Sequence, residues 1–415
     1  MAVAICAACG VAVSVSAQDL LIRGAHVHTA AAAGTLENAD VLVRAGRIAE
    51  VGTGLAAPAG MPVVEAQGRA LTPGLFGGLT QIGLEEVGLE PSTVDAELQL
   101  QAPAWQHHWR PEFDVTRAFN PRSSLVPVAR IEGVTWTMLA PTAEHSLIAG
   151  QGAAVALDGR FDAVQDGSQT LFVNWGSAAL EASGGSRAAQ YMLFDQAIRE
   201  VREPATAGEG ALLLPEGRTA LKAYLAGGRV VFRAHRAADI RSVIAYAKRH
   251  GMTPVIAGGD EAWLVAKELA TAEVPVILDS LDNLPADFDR LGARLDNATL
   301  LQQAGVRIAF SHDDSHQSRK NRQLAGNAAA HGLSRDAALA AITANPADIF
   351  GLGGKRGRIE RGQVADLVLW SGDPLEVTTV ADQVWIAGRP VEMRSRQTEL
   401  RDRYLQLLRS SQAEH

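Results

Sequence analysis

From about Thr72 to Gly351 the chain alternates short apolar runs of strand length with longer stretches of helical periodicity. The runs are VTWTMLA, TLFVN, RVVFRA, TPVIA, VPVILD and VRIAFS; DIRSVIAYAKRHG and EAWLVAKELATAE lie among the helical stretches. This alternation predicts parallel βα units, because successive parallel strands need a crossover long enough to hold a helix. Functional groups are then expected just after the strands, at their carboxyl ends. The two ends of the chain differ from the middle. Asp19–Val64 holds LLIRGAHVHT and ADVLVRAGRIAEVG, with Ala45-Gly46-Arg47 as a hairpin turn. ADLVLWSGDP and DQVWIAGRPVEM near the C-terminus have the same character. One small β domain built from both termini is expected.

Composition sets limits. A chain of 415 residues, 47% hydrophobic and 20% charged, can bury a large core and a smaller unit beside it. A net charge of −8 with no basic stripe argues against a nucleic-acid partner. After the first 17 residues no run of 18 apolar residues occurs, so no membrane span is expected there. Met1–Ala17, MAVAICAACGVAVSVSA, reads as a signal peptide cut before Gln18, although it lacks a basic start. A periplasmic or secreted protein follows; a buried N-terminal strand is the other reading. Both cysteines, Cys6 and Cys9, lie in this segment, so the mature chain would have no thiol. A lipid anchor on Cys9 is disfavoured by Cys6, which stands where that signal wants an aliphatic residue. Residues 84–125 show little periodicity and read as a functional loop or lid. Within it, His107-His108 lie between Trp105 and Trp109, as a lid over a ligand or as loop packing. Thr398–Ser411 reads as a helical tail.

Leu71–Gly83, LTPGLFGGLTQIG, resembles the segment that opens the barrel of the metal-dependent amidohydrolase superfamily, roughly T-P-G-[LF]-[IV]-D-x-H-x-H-[IL]-G. Residues 334–373, with ITANPADIFGLGG, GRIERGQVADLVL and GDP, resemble the family's closing signature. The likeness runs from about Leu20 to Met393 and extends to imidazolonepropionase-like periplasmic members. It implies a (β/α)8 TIM-like barrel over 71–354, a β-sandwich from 18–70 with 355–397, and a tail from 398 to 415. It also implies a hydrolase of C–N bonds using a divalent metal of the zinc type.

The ligand positions are where this chain departs. The two histidines of the first strand, which point the same way because they are two apart, are replaced by Leu79 and Gln81. Leucine cannot ligate, and glutamine is a weak ligand for a zinc-type ion. The sixth-strand histidine is replaced by Ala257-Gly258-Gly259; the glycines admit close backbone approach to a ligand, or an anion nest before Asp260. His235 after the fifth strand and Asp313 after the eighth match the pattern, with Asp239 expected to cap the following helix. Asp314 and His316 crowd Asp313. No bridging residue is convincing: Lys222 reads as a surface residue, Glu85 and Glu86 could face the pocket, and Gln151 lies in a Gly-rich loop. His26-x-His28 has ligand spacing but lies in the sheet domain, where it reads as a solvent-facing pair.

Two surviving ligands, His235 and Asp313, leave one weak metal site or none. Three functions remain open. The first is a divergent amidohydrolase cutting a non-peptide or dipeptide-like C–N bond, with Asp313 as general base, His235 orienting the carbonyl, and Gln81, Gly258, Gly259 and Asp314 at the substrate. The second is a silent homologue that binds a small molecule, self-associates or pairs with an active relative. The third is an isomerase or lyase on the same barrel. Fold alone does not choose.

Overall fold

The structure is a computed structural model that describes residues 19–98, 109–312 and 314–413. Its strands in chain order are β1 (Leu20–His28), β2 (Thr35–Arg44), β3 (Arg47–Gly52), β4 (Val63–Glu65), β5 (Ala70–Pro73), β6 (Leu75–Thr80), β7 (Val134–Leu139), β8 (Ile148–Gly152) and β9 (Ala154–Ala156). Then come β10 (Thr170–Asn174), β11 (Arg229–Ala234), β12 (Thr253–Gly258), β13 (Val276–Leu278), β14 (Ile308–Phe310), β15 (Leu367–Trp370), β16 (Ala381–Ile386) and β17 (Arg389–Pro390).

Both ends of the chain enter one mixed sheet, ordered β17-β16-β15-β5-β1-β2-β3 with β4 also on β1. The seam is β15 against β5, antiparallel, pairing Leu367 with Pro73 and Leu369 with Leu71. Trp370 Nε1 donates to Thr72 Oγ1 across it at 2.9 Å, so the indole is buried without losing its hydrogen bond. The two ends are thus joined in one hydrogen-bonded mixed sheet, because β15 bonds directly to β5. In the β2–β3 hairpin Ala45 and Gly46 both have positive φ (48° and 76°), the conformation whose twist matches the flanking strands. Alternate residues such as Ile22, Val41, Val43, Leu71 and Leu367 form the core of this unit.

The middle of the chain forms two further sheets, β14-β13-β12-β11-β10-β8 and β6-β7-β9. The pairs from β10 to β14 are parallel, as is β6 with β7. All six apolar runs named from the sequence are strands. The departure from eight parallel strands is the stretch Ile148–Ala156. It runs antiparallel, β8 on β10 and β9 on β7, and Ala153 O between them accepts from Leu139 N–H at 3.0 Å. This is the segment read as a glycine-rich loop. Its glycines allow close packing instead: a Cβ on Gly152 would lie 1.9 Å from Leu139 O.

Between β14 and β6 there is no ladder. Phe310 N–H donates to Ala341 O (3.2 Å), Phe76 N–H to Ile342 O (2.8 Å), and Leu79 N–H to Ser311 Oγ (2.8 Å). Asn321 Nδ2 reaches both Phe76 O and Phe310 O. Backbone groups that strands would have paired are thus met by side chains and a connecting segment. Phe76, Trp136, Met138, Phe172, Val231, Val255, Ile277, Ala309 and Phe350 pack in one buried cluster spanning both sheets. Among the described residues no helix is long and apolar enough to cross a membrane.

Candidate functional site

A cleft of about 650 Å³ opens at the carboxyl ends of the strands. Leu79, Asn174, Arg233, Ala257, Gly258 and Ile277 line it from the strands, and His235 and Ser311 from the positions just after them. Thr142, Glu144, Ser177, Glu181, Asp260, Asp279, Asp282 and Arg290 line it from the loops.

His235 follows β11, and Arg233 is two residues earlier in the same run; both line the cleft. His235 Nδ1 lies 2.6 Å from Asp260 Oδ2, and Nε2 lies 3.3 Å from Arg290 Nη2. Arg290 can only donate, so Nε2 accepts and Nδ1–H donates to the carboxylate. Both ring nitrogens are therefore engaged. Its ring lies against Gly258, where a Cβ would come within 2.4 Å of Cε1. Gly258 has φ +92°, a conformation that suits glycine. The glycine admits a side chain of the protein itself, in place of the expected ligand. The anion nest is also absent here, because Gly259 N–H donates to Ala234 O and Glu261 N–H to His235 O. Gly259 does not line the cleft; its Cα packs toward Val276.

Arg290 is the centre of a charge network. It pairs with Asp282, lies 3.5 Å from both Asp260 Oδ2 and Asp287 Oδ2, and meets His235. Its segment is tied to the rest of the chain by Asp289. That carboxylate pairs with Arg187 and accepts from Ser177 N–H at 2.9 Å. Burial pushes the Asp289 carboxyl up, but Arg187 and Ser177 more than offset this and hold it below the usual carboxylate range. Arg233 donates to Asn174 Oδ1 (3.2 Å) and Pro141 O (3.0 Å).

The other sequence candidates are dispersed. Asp313 lies outside the described residues, as do Trp105, His107, His108, Cys6, Cys9 and the segment before Asp19. Asp314 does not line the cleft; it caps the 3-10 turn Ser315–Lys320 by accepting from His316 N–H at 2.8 Å. His316 Nε2 is 3.3 Å from Glu85 Oε1, and Glu86 accepts from Ser124 N–H and Oγ. Gln81 is anchored through its N–H to Ser315 Oγ, and its side chain touches Thr142 at 3.4 Å rather than the cleft. Asp239 does not cap the helix Ala237–His250; Arg236 and Arg187 bind it. Gln151 joins Pro111 O (2.6 Å) to Tyr224 OH (2.7 Å), a structural tie. Trp109 is buried against Phe194, which makes it core and not lid. Lys222 is exposed.

Comparison with known proteins follows the same lines. The Amidohydrolase family model matches residues 294–392. An amidohydrolase from Thermotoga maritima superposes with a TM-score of 0.78 at 26% identity, covering 90% of this chain and all of that one. The chain belongs to the metal-dependent amidohydrolase superfamily. Its fold is α/β and TIM-barrel-like with a mixed-sheet domain. Amidohydrolase tasK of Hapsidospora irregularis is 48% identical over 58 residues, 14% of this chain and 6% of that one. An imidazolonepropionase of Acidiphilium cryptum is 34% identical over 110 residues, 25% of each. The matched stretches thus span a quarter or less of these curated relatives.

Members of this superfamily are hydrolases acting on C–N bonds and typically use divalent metals such as zinc. The described side chains of this amidohydrolase relative do not fit such an ion. Leu79 and Ala257 bring hydrocarbon to two ligand positions, and a guanidinium covers the ring nitrogen that would coordinate. Among the described residues no group of three His, Cys, Asp or Glu side chains is placed to hold a metal. Arg233 and Arg290 are among the cleft residues missed in the sequence. Arg233 shares strand parity with His235 and was discoverable. Arg290 sits in the aperiodic stretch 279–296, which offers no signal.

Proposed function

We propose that this chain uses the amidohydrolase fold to bind a small polar molecule in the strand-end cleft, without a metal-activated water. One observation carries the reading: the Nε2 lone pair of His235 is met by Arg290. A cation at that nitrogen competes directly with a metal ion for the same electrons. The cleft otherwise presents Arg233, Asn174, Ser177, Ser311 and several carboxylates, a lining suited to a polar ligand.

A second reading is favoured by the His235–Asp260 pair, which holds the imidazole in one orientation at the cleft wall. There the protein hydrolyses a C–N bond by acid–base chemistry, with Asp313 taking the proton of water and His235 orienting the carbonyl. Assay of the full chain, with and without added zinc, against dipeptides, lactams and cyclic amides separates the two. Binding without turnover, lost in His235→Ala, is the expected result. Zinc-dependent turnover, lost in His235→Ala, would overturn the first reading.

A further inference from the structure

The cleft does not exhaust the imidazole chemistry of this chain. His26 and His28 lie two apart on β1, so both rings stand on one face of the sheet. Their centroids are 4.6 Å apart. Each Nδ1 is held from the neighbouring β2: His26 by Glu37 Oε2 at 2.8 Å, His28 by Thr35 Oγ1 at 3.2 Å. Among the described residues neither Nε2 has a hydrogen-bond partner. Both rings line one cleft of about 440 Å³ between the sheet and the helix Arg335–Ala340. The cations beside them are already paired, Arg69 with Asp382 and Arg335 with Asp373.

We propose that His26 and His28 form a divalent transition-metal site on the sheet domain, separate from the strand-end cleft. A ligating histidine characteristically gives its other ring N–H to a carboxylate or another oxygen, which fixes the tautomer and turns the lone pair outward. His26 with Glu37 has that arrangement. Two neighbouring imidazoles on a rigid strand chelate one ion through Nε2, and water completes the shell. Two nitrogen ligands favour Cu2+ over Zn2+.

The test is titration of the untagged full chain with Cu2+ alone, and separately Zn2+, followed by calorimetry and by electron paramagnetic resonance of the Cu2+ form. One equivalent should bind, with nitrogen couplings from two imidazoles. His26→Ala or His28→Ala should weaken binding more than about tenfold. Glu37→Gln, which keeps both rings, should weaken it about tenfold by loosening the tautomer. Thermal melts of the metal-free variants check that the fold survives. Unchanged affinity in the His26→Ala/His28→Ala double variant would overturn the proposal, as would couplings from a single imidazole.

Discussion

β1 and β11 both present histidine, and the two surroundings oppose each other. After β11, His235 has both ring nitrogens engaged and backbone against its ring: Asp260 at Nδ1, Arg290 at Nε2 and Gly258 beside the ring. On β1 the two rings are fixed at Nδ1, line a cleft, and among the described residues have no hydrogen-bond partner at Nε2. Residue type and spacing alone make both places look like ligand sites. What decides is the group that faces the lone pair. In the family's usual location a guanidinium stands there, and in the sheet domain nothing among the described residues does.

The largest effect expected from breaking this contrast is at Gly258. Gly258→Ala places a Cβ inside the His235 ring at a left-handed backbone position. Strain and overpacking together should cost about 2–5 kcal/mol in denaturant unfolding. Next, removing the carboxylate behind each histidine should separate enclosed from open. Asp260→Ala strands buried partners and should cost about 1–3 kcal/mol. Glu37→Ala, on the exposed face, should stay within about 0.5 kcal/mol in the same assay. Converting the enclosed site should sharpen the point. Leu79→His/Ala257→His/Arg290→Ala should bind zinc in the cleft, whereas Leu79→His/Ala257→His with Arg290 intact should bind it more weakly; equilibrium dialysis reads both. The smallest effect concerns pH. Because the Asp289 pKa is depressed in the folded chain, its tie to Arg187 contributes stability above the ordinary carboxylate value near ~3.9 and loses it as pH falls through the folded value. Amide exchange in residues 279–296 should rise selectively as pH drops below that range.

How much of this the sequence disclosed depended on periodicity. The apolar runs and the pairing of the two termini were legible, because strand length, turn chemistry at Ala45-Gly46 and alternation act locally. The antiparallel course of Ile148–Ala156 was not, since Gly150 and Gly152 mimic loop composition while allowing the close backbone approach that a strand needs here. His235 and its neighbour Asp260 were visible as residues after strands. Their partner Arg290 was not, because a contact made 55 residues away by an aperiodic segment leaves no local trace. Asp314 misled for a related reason: an Asp before a short turn serves equally as cap or ligand, and here it caps.

The central claim is that metal affinity has left the strand-end cleft and lies with the β1 histidine pair. Anomalous diffraction from crystals equilibrated with Cu2+ or Zn2+ at one equivalent tests it most directly. The account predicts a peak between His26 Nε2 and His28 Nε2, with none in the cleft. A peak about 2.1 Å from His235 Nε2, with Arg290 displaced, would contradict it.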